Sequence, residues 1–182
     1  MSGGHGHVDH GGNKGVALLI SVLALVLAFS ETLGKSAQTS ALNYNIEAAN
    51  LWSFFQAKTI RQTTLRTAAE ALGVLNVDEK ARQQAEKWRQ TVQRYESEPD
   101  TGEGRKELVA RVKEVEKKRD RSLAAYHHYE LSSAAVQIAI VLASASIITS
   151  MPALVWTAGA LGAVGVVFCV IGFWFPTAVH LF

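Results

Sequence analysis

VALLISVLALVLAF, residues 16–29, decides how the chain is read, together with the stretch SETLGKSAQTSALNYNIEAANLWSFFQAKTIRQTTLRTAAEAL, residues 30–72, that follows without a proline. The apolar run has 14 residues, fewer than the roughly 20 that cross a bilayer as a helix. Two readings compete. A signal peptide would use Lys14, this run as its core and a small-residue site such as Ala28-Phe-Ser30. The alternative is a membrane helix extended to Leu33, with Glu31 near the interface or facing protein. The helical pattern continues past Ser30 and no Ala-x-Ala site follows, which favours the membrane helix, continuing as a long amphipathic helix outside the bilayer.

Outward from that stretch, charge is sharply segregated. Residues 36–130 hold 16 of the 18 Lys+Arg and 14 of the 16 Asp+Glu, and residues 131–182 hold none of either. A soluble domain does not spread its surface in this way; a membrane tract does. The net charge of +2 lacks the basic excess of a phosphate-binding surface, so nucleic acid is not an expected partner. One cysteine, Cys169, lies in the apolar tract, which leaves no intrachain disulfide and no cysteine metal cluster.

The expected organisation runs as follows. Residues 1–14, MSGGHGHVDHGGNK, form a disordered Gly/His tail in which His5, His7, Asp9 and His10 offer a weak compositional metal signal. Residues 15–35 form the first transmembrane helix. Residues 36–130 form a charged helical hairpin of coiled-coil character. The break around Gly73-Val-Leu-Asn-Val leads to Asp78 as a candidate N-cap. Ala81, Ala85, Trp88, Val92 and Tyr95 then recur at alternating spacings of four and three, the pattern of a packing seam. SEPDTGEG, residues 97–104, is the strongest turn signal. Leu108, Val112 and Val115 resume the seam.

The second span is residues 131–150, where Ala135, Ala139 and Ala143 make a small-xxx-small face and Gln137, Ser144 and Ser146 should face other helices. Ser150-Met-Pro152 turns the chain into the third span, residues 153–175, and residues 176–182 form a tail. Trp156 and Trp174 stand eighteen residues apart, about 27 Å along a helix, so both indoles can mark interfaces. Ala158, Gly159, Gly162 and Gly165 give this helix a thin packing face. The fold class expected is therefore all-α: three transmembrane helices with a long helical hairpin inserted between the first and second. The placement of Lys35, Arg119 and Arg121 puts the hairpin in the cytoplasm.

The run ALLISVLALVLAFSETLGKSAQTSALNYNIEAANLWSFFQAKTIRQTTLRTAAEAL resembles a family of small bacterial membrane proteins known as domain of unknown function 4337. The features that carry the resemblance are SETLGKSAQT after the first span, the N-x-E-A-x-N-L-W-x-F-F-Q-A-K-x-I-R core and a terminal pair of apolar helices. The resemblance implies a bacterial, membrane-embedded, mostly helical protein of the inner membrane. It implies no activity, cofactor or catalytic residue.

No phosphate loop, nucleophile elbow or H-E-x-x-H helix occurs, so the chain is read as a non-enzyme without cofactor. His127 and His128 point about 100° apart on a helix and make a poor chelating pair within one chain; a ring of them from several subunits would be needed to bind metal or sense pH. Two functions are expected from different classes. The first is a homo-oligomeric membrane scaffold or accessory protein. Its partner or oligomer contacts would lie at Trp52, Phe54, Phe55, Trp88, Ala135, Ala139 and Ala143, and an unidentified protein would bind the hairpin. The second is an oligomeric channel or transporter lined by Ser30, Glu31, Gln137 and Ser144. No span carries a row of polar residues, which favours the scaffold. The bilayer is the one partner common to both.

Overall fold

A computed structural model describes residues 10–75 and 78–178. Four α-helices make up the described chain, with no strand among the described residues: α1 His10–Val74, α2 Glu79–Glu96, α3 Arg105–Thr149 and α4 Pro152–Trp174. Three of them, α1, α3 and α4, are long and apolar enough to cross a membrane. The helix α1 begins at His10, inside the segment expected to be a disordered tail. His5, His7 and Asp9, and the side chain of His10, lie outside what the structure describes.

The helix ends follow local chemistry. Gly73 stands one residue before the end of α1, and Asp78 caps α2 by accepting the Ala81 backbone N–H at 2.8 Å. Residues 97–104 separate α2 from α3. There Glu107, in the first turn of α3, accepts from the Ser97 hydroxyl at 2.6 Å and from the Glu98 backbone N–H at 3.2 Å. Gly104 is required by this closure, because a Cβ at that position would sit 2.4 Å from Glu98 N and 2.7 Å from Ser97 Cα. Between α3 and α4 the reversal takes two residues, with Ser150 in the left-handed region at φ 53° and Pro152 opening α4.

The chain divides into two compact units, one of residues up to Ser40 with those from Arg121 onward, the other Ala41–Asp120. Helices α1 and α3 contribute to both.

In the first unit α3 packs antiparallel to α1 and to α4. Gly34 of α1 meets Tyr129 of α3, and Gly172 and Gly165 of α4 lie against His128 and Val136. The core is Leu23, Val136, Ala139, Ala143 and Ala158. Small residues dominate because the helices approach closely: a Cβ on Gly162 would stand 2.5 Å from Leu23 Cδ2, and one on Gly165 2.5 Å from Val136 Cγ2. Gly159, expected to share this face, has open space around it.

In the second unit α2 runs back along α1: Gln62 of α1 donates to the Val92 carbonyl at 3.1 Å, and Gly73 lies beside Arg89. The α3 segment continues the same way, with Arg105 bonded to Thr59 and Gln62 and Glu116 bonded to Trp52. The turn at 97–104 therefore offsets two successive helices along α1; it does not fold them back on each other. The seam residues face inward, Ala85 fully and Leu108, Val112 and Val115 with Ala48 and Leu51 in one cluster.

Candidate functional site

The first unit brings three of the four residues expected to line a pore to one place. Ser30 and Ser132 are completely buried, with their hydroxyl oxygens 2.8 Å apart. Ser132 donates to the Gly165 carbonyl at 2.7 Å, which leaves it to accept from Ser30. A hydroxyl chain thus links α1, α3 and α4. The next residue on α1, Glu31, is exposed and accepts from Gln137 Nε2 at 3.4 Å. Ser30, Glu31 and Gln137 border an open cleft between α1 and α3 of 430 Å³, together with Gly34, Lys35, Gln38, Tyr126, Tyr129, Glu130, Ser133 and Ala134. The fourth expected residue, Ser144, is apart from it: its hydroxyl returns to its own helix at the Ile140 carbonyl, 2.8 Å away. Ser132 was missed by sequence reasoning. Its signal is its place in Ser132, Val136, Ala139, Ala143 and Ser146, a run of buried α3 residues at four-three spacing.

The expected small-residue face is turned by part of a helical step. Ala139 and Ala143 are fully buried, whereas Ala135 is partly exposed. His128 points inward, stacked 6.2 Å from Phe168 with its Nε2 donating to the Pro176 carbonyl at 3.2 Å. It is 1 % exposed, so it cannot contribute to a ring of histidines between subunits. His127 lies 3.7 Å from Glu130. Among the described residues no group of three or more His, Cys, Asp or Glu is placed to hold a metal ion.

The second unit contains a polar cluster that the sequence did not disclose. Lys58 is 6 % exposed; its ammonium donates to the Glu103 carbonyl, lies 3.6 Å from Glu98, and sits 5.4 Å from the ring centres of both Phe54 and Tyr95. Gln62, 2 % exposed, accepts from Arg105 at 2.8 Å and donates to Glu96 at 3.0 Å. Arg105 also bonds Glu96 at 2.8 Å and Thr59 at 3.0 Å, and lies over the Phe55 ring at 4.9 Å. The Gln62 hydrogen bond, followed by the charge and hydrogen bond of Arg105, holds the Glu96 carboxyl below its ordinary range. Hydrogen bonding from Ser97 does the same for Glu107. These groups pin the 97–104 turn to α1.

The aromatic residues expected at a partner contact are partly used within the chain. Trp52 packs edge-on to Phe55 at 5.5 Å and donates to Glu116 at 3.3 Å. Trp88 is half-buried on the inward seam. Trp52 and Phe54 keep 38 % and 39 % of their surface exposed.

Taken together, these features define an all-helical protein with three helices of membrane-crossing length and composition, held together by small residues and buried hydroxyls. The chain belongs to the family described as domain of unknown function (DUF4337), whose model matches residues 12–175. No curated protein and no solved structure matches it.

Proposed function

We propose that this is a non-catalytic, homo-oligomeric scaffold of the bacterial inner membrane. α1, α3 and α4 would span the bilayer in their apolar parts, and the charged hairpin inserted between the first and second spans would stand in the cytoplasm.

One observation carries the scaffold reading. On α1, Ile46, Ser53, Ile60, Thr67 and Val74 recur every seventh residue, and Asn50, Ala57, Thr64 and Ala71 alternate with them at the intervening four-three positions; all nine are exposed and none is charged. Ile60 retains 67 % and Val74 89 % of its surface. This is an a/d seam sustained over about four heptads, on the side of α1 opposite the buried Ala48, Gln62 and Ala69 and the half-buried Phe55. A second copy is the occupant that fits. Two chains inserted in one membrane the same way bring identical α1 seams together in parallel, and Asn50 at an a position would pair with its own counterpart and set the register.

A channel is the second reading, and the Glu31–Gln137 contact supports it. Both groups open outward from the three helices, so a pore would exist only between copies.

The test is the subunit mass of the full chain in lipid nanodiscs, with Ile60→Asp as the variant. The scaffold reading expects an oligomer that Ile60→Asp dissociates while the helical content is kept, and proteoliposomes without ion flux. An oligomer untouched by the substitution removes the seam from the argument. Ion flux that changes with Glu31→Gln or Gln137→Leu replaces the scaffold with the channel.

A further inference from the structure

We infer that the cleft between α1 and α3 binds the headgroup of a zwitterionic phospholipid with a primary ammonium, of the phosphoethanolamine type. The inference rests on the membrane reading above.

Position comes first. The apolar run of α1 ends at Phe29, and the charge-free stretch of α3 begins at Leu131. The cleft borders run from Ser30 to Gln38 on one helix, starting just past the first limit, and from Tyr126 to Gln137 on the other, across the second. Tyrosines favour the headgroup level of a bilayer, and an open cleft at that level is filled by the molecules that make up the level.

The lining then selects the headgroup. Glu31 and Glu130 are exposed carboxylates, Lys35 is an exposed ammonium, and all three border the same cavity of 430 Å³. Glu31 and Lys35 stand four residues apart with the acid on the N-terminal side, the favourable order for a helical ion pair. Among the described residues, however, Lys35 forms no ion pair; Glu31 is held by Gln137 alone at 3.4 Å and Glu130 by His127 at 3.7 Å. Opposite charges that border one cavity without pairing suit a ligand that carries both signs. Its phosphate would meet Lys35, and its ammonium would meet Glu31 and Glu130 with Ser133 and Gln137 as further acceptors. A primary ammonium donates three hydrogen bonds to such acceptors, whereas a trimethylammonium donates none. An anionic glycerol headgroup would leave the two carboxylates facing its own charge.

The test uses the full chain purified in detergent and titrated with short-chain phospholipids that differ only in headgroup, following the melting midpoint. Ethanolamine lipid is expected to act at roughly tenfold lower concentration than choline or glycerol lipid, the size of one or two charge-assisted hydrogen bonds. Lys35→Gln and the double variant Glu31→Gln/Glu130→Gln should each abolish that preference, while Ser144→Ala, outside the cleft, should keep it. Equal action of the three headgroups, or a preference that survives both cleft variants, overturns the inference. Soluble phosphoethanolamine acting as strongly as the lipid overturns the assignment to a membrane lipid. Carbonate extraction separates the two levels of the argument. Release of the chain from membranes defeats the membrane reading and this inference with it, whereas retention without headgroup preference defeats this inference alone.

Discussion

Ser30 and Ser132, separated by 102 residues in sequence, place their hydroxyl oxygens 2.8 Å apart at zero exposure. Because Ser132 gives its proton to the Gly165 carbonyl, the two serines are unequal. Removing Ser132 takes the acceptor from Ser30 and strands a buried donor. Removing Ser30 leaves the Ser132–Gly165 bond intact. Ser132→Ala should therefore cost about 1–2 kcal/mol and Ser30→Ala about half as much. Thermal unfolding of both variants and the double variant in one detergent checks the order, and a double variant no worse than Ser132→Ala alone shows the dependence.

Gly165 and Gly159 test the packing of α4 from opposite sides. A methyl group at 165 would stand 2.5 Å from Val136 Cγ2 and 3.2 Å from the Ser132 carbonyl oxygen, while one at 159 meets nothing within 4 Å. Val136 is β-branched and fully buried, so it has no free rotamer into which to retreat. Gly165→Ala should cost about 1–3 kcal/mol through overpacking. Gly159→Ala should be neutral or stabilising by up to about 1 kcal/mol through helix propensity. The measurement is the pair of melting midpoints.

These two glycines also show what the sequence made legible. Segregation of charge and helical periodicity placed the helices, the Asp78 cap and the inward seam of α2 and α3, because those features depend on neighbours within a turn or two. Facing was harder. Positions 135, 139 and 143 look equivalent in spacing, yet eight residues carry a helix about 80° past two full turns, so Ala135 rotates off the face that Ala143 keeps. The Ser30–Ser132 and Gln62–Arg105 pairs were illegible for a different reason. A lone polar residue on a helix looks the same whether it meets water or a partner, and the partner is 102 residues away in one case and 43 in the other. The outward seam of α1 was written in the sequence, but the buried residues on its opposite face were needed to show that it is left uncovered.

Arg105 should prove to be the single residue that best locks the second unit. It satisfies the buried carbonyl oxygen of Gln62 at 2.8 Å, pairs with Glu96 at 2.8 Å and stacks over Phe55 at 4.9 Å. The planar fork of its guanidinium donates to three acceptors, on Thr59, Gln62 and Glu96, which a lysine ammonium cannot reproduce. Arg105→Ala should destabilise by about 1–3 kcal/mol by leaving Gln62 unsatisfied, and Arg105→Lys should recover only a minor part. Limited proteolysis between residues 97 and 104 would read the same loss locally, as faster cleavage of a turn no longer pinned to α1.

Acid should loosen that same turn before it affects the apolar helices. Glu96, held down by Gln62 and then by Arg105, and Glu107, held down by the Ser97 hydroxyl, both have folded pKa values below those of the unfolded chain. Groups lowered in the folded state contribute stability that is complete above the unfolded carboxylate value of about 4.3 and is lost as pH falls through the folded value. Stability of the second unit should be flat with respect to these two groups from neutrality down to about pH 5 and decline below it. Glu96→Gln and Glu107→Gln remove the titrating carboxyls, so each should lower stability at neutral pH and flatten the decline. Unfolding followed by Trp88 fluorescence from pH 7 to 3 makes the comparison, and an unchanged acid slope in both variants would place the responsible carboxylates elsewhere.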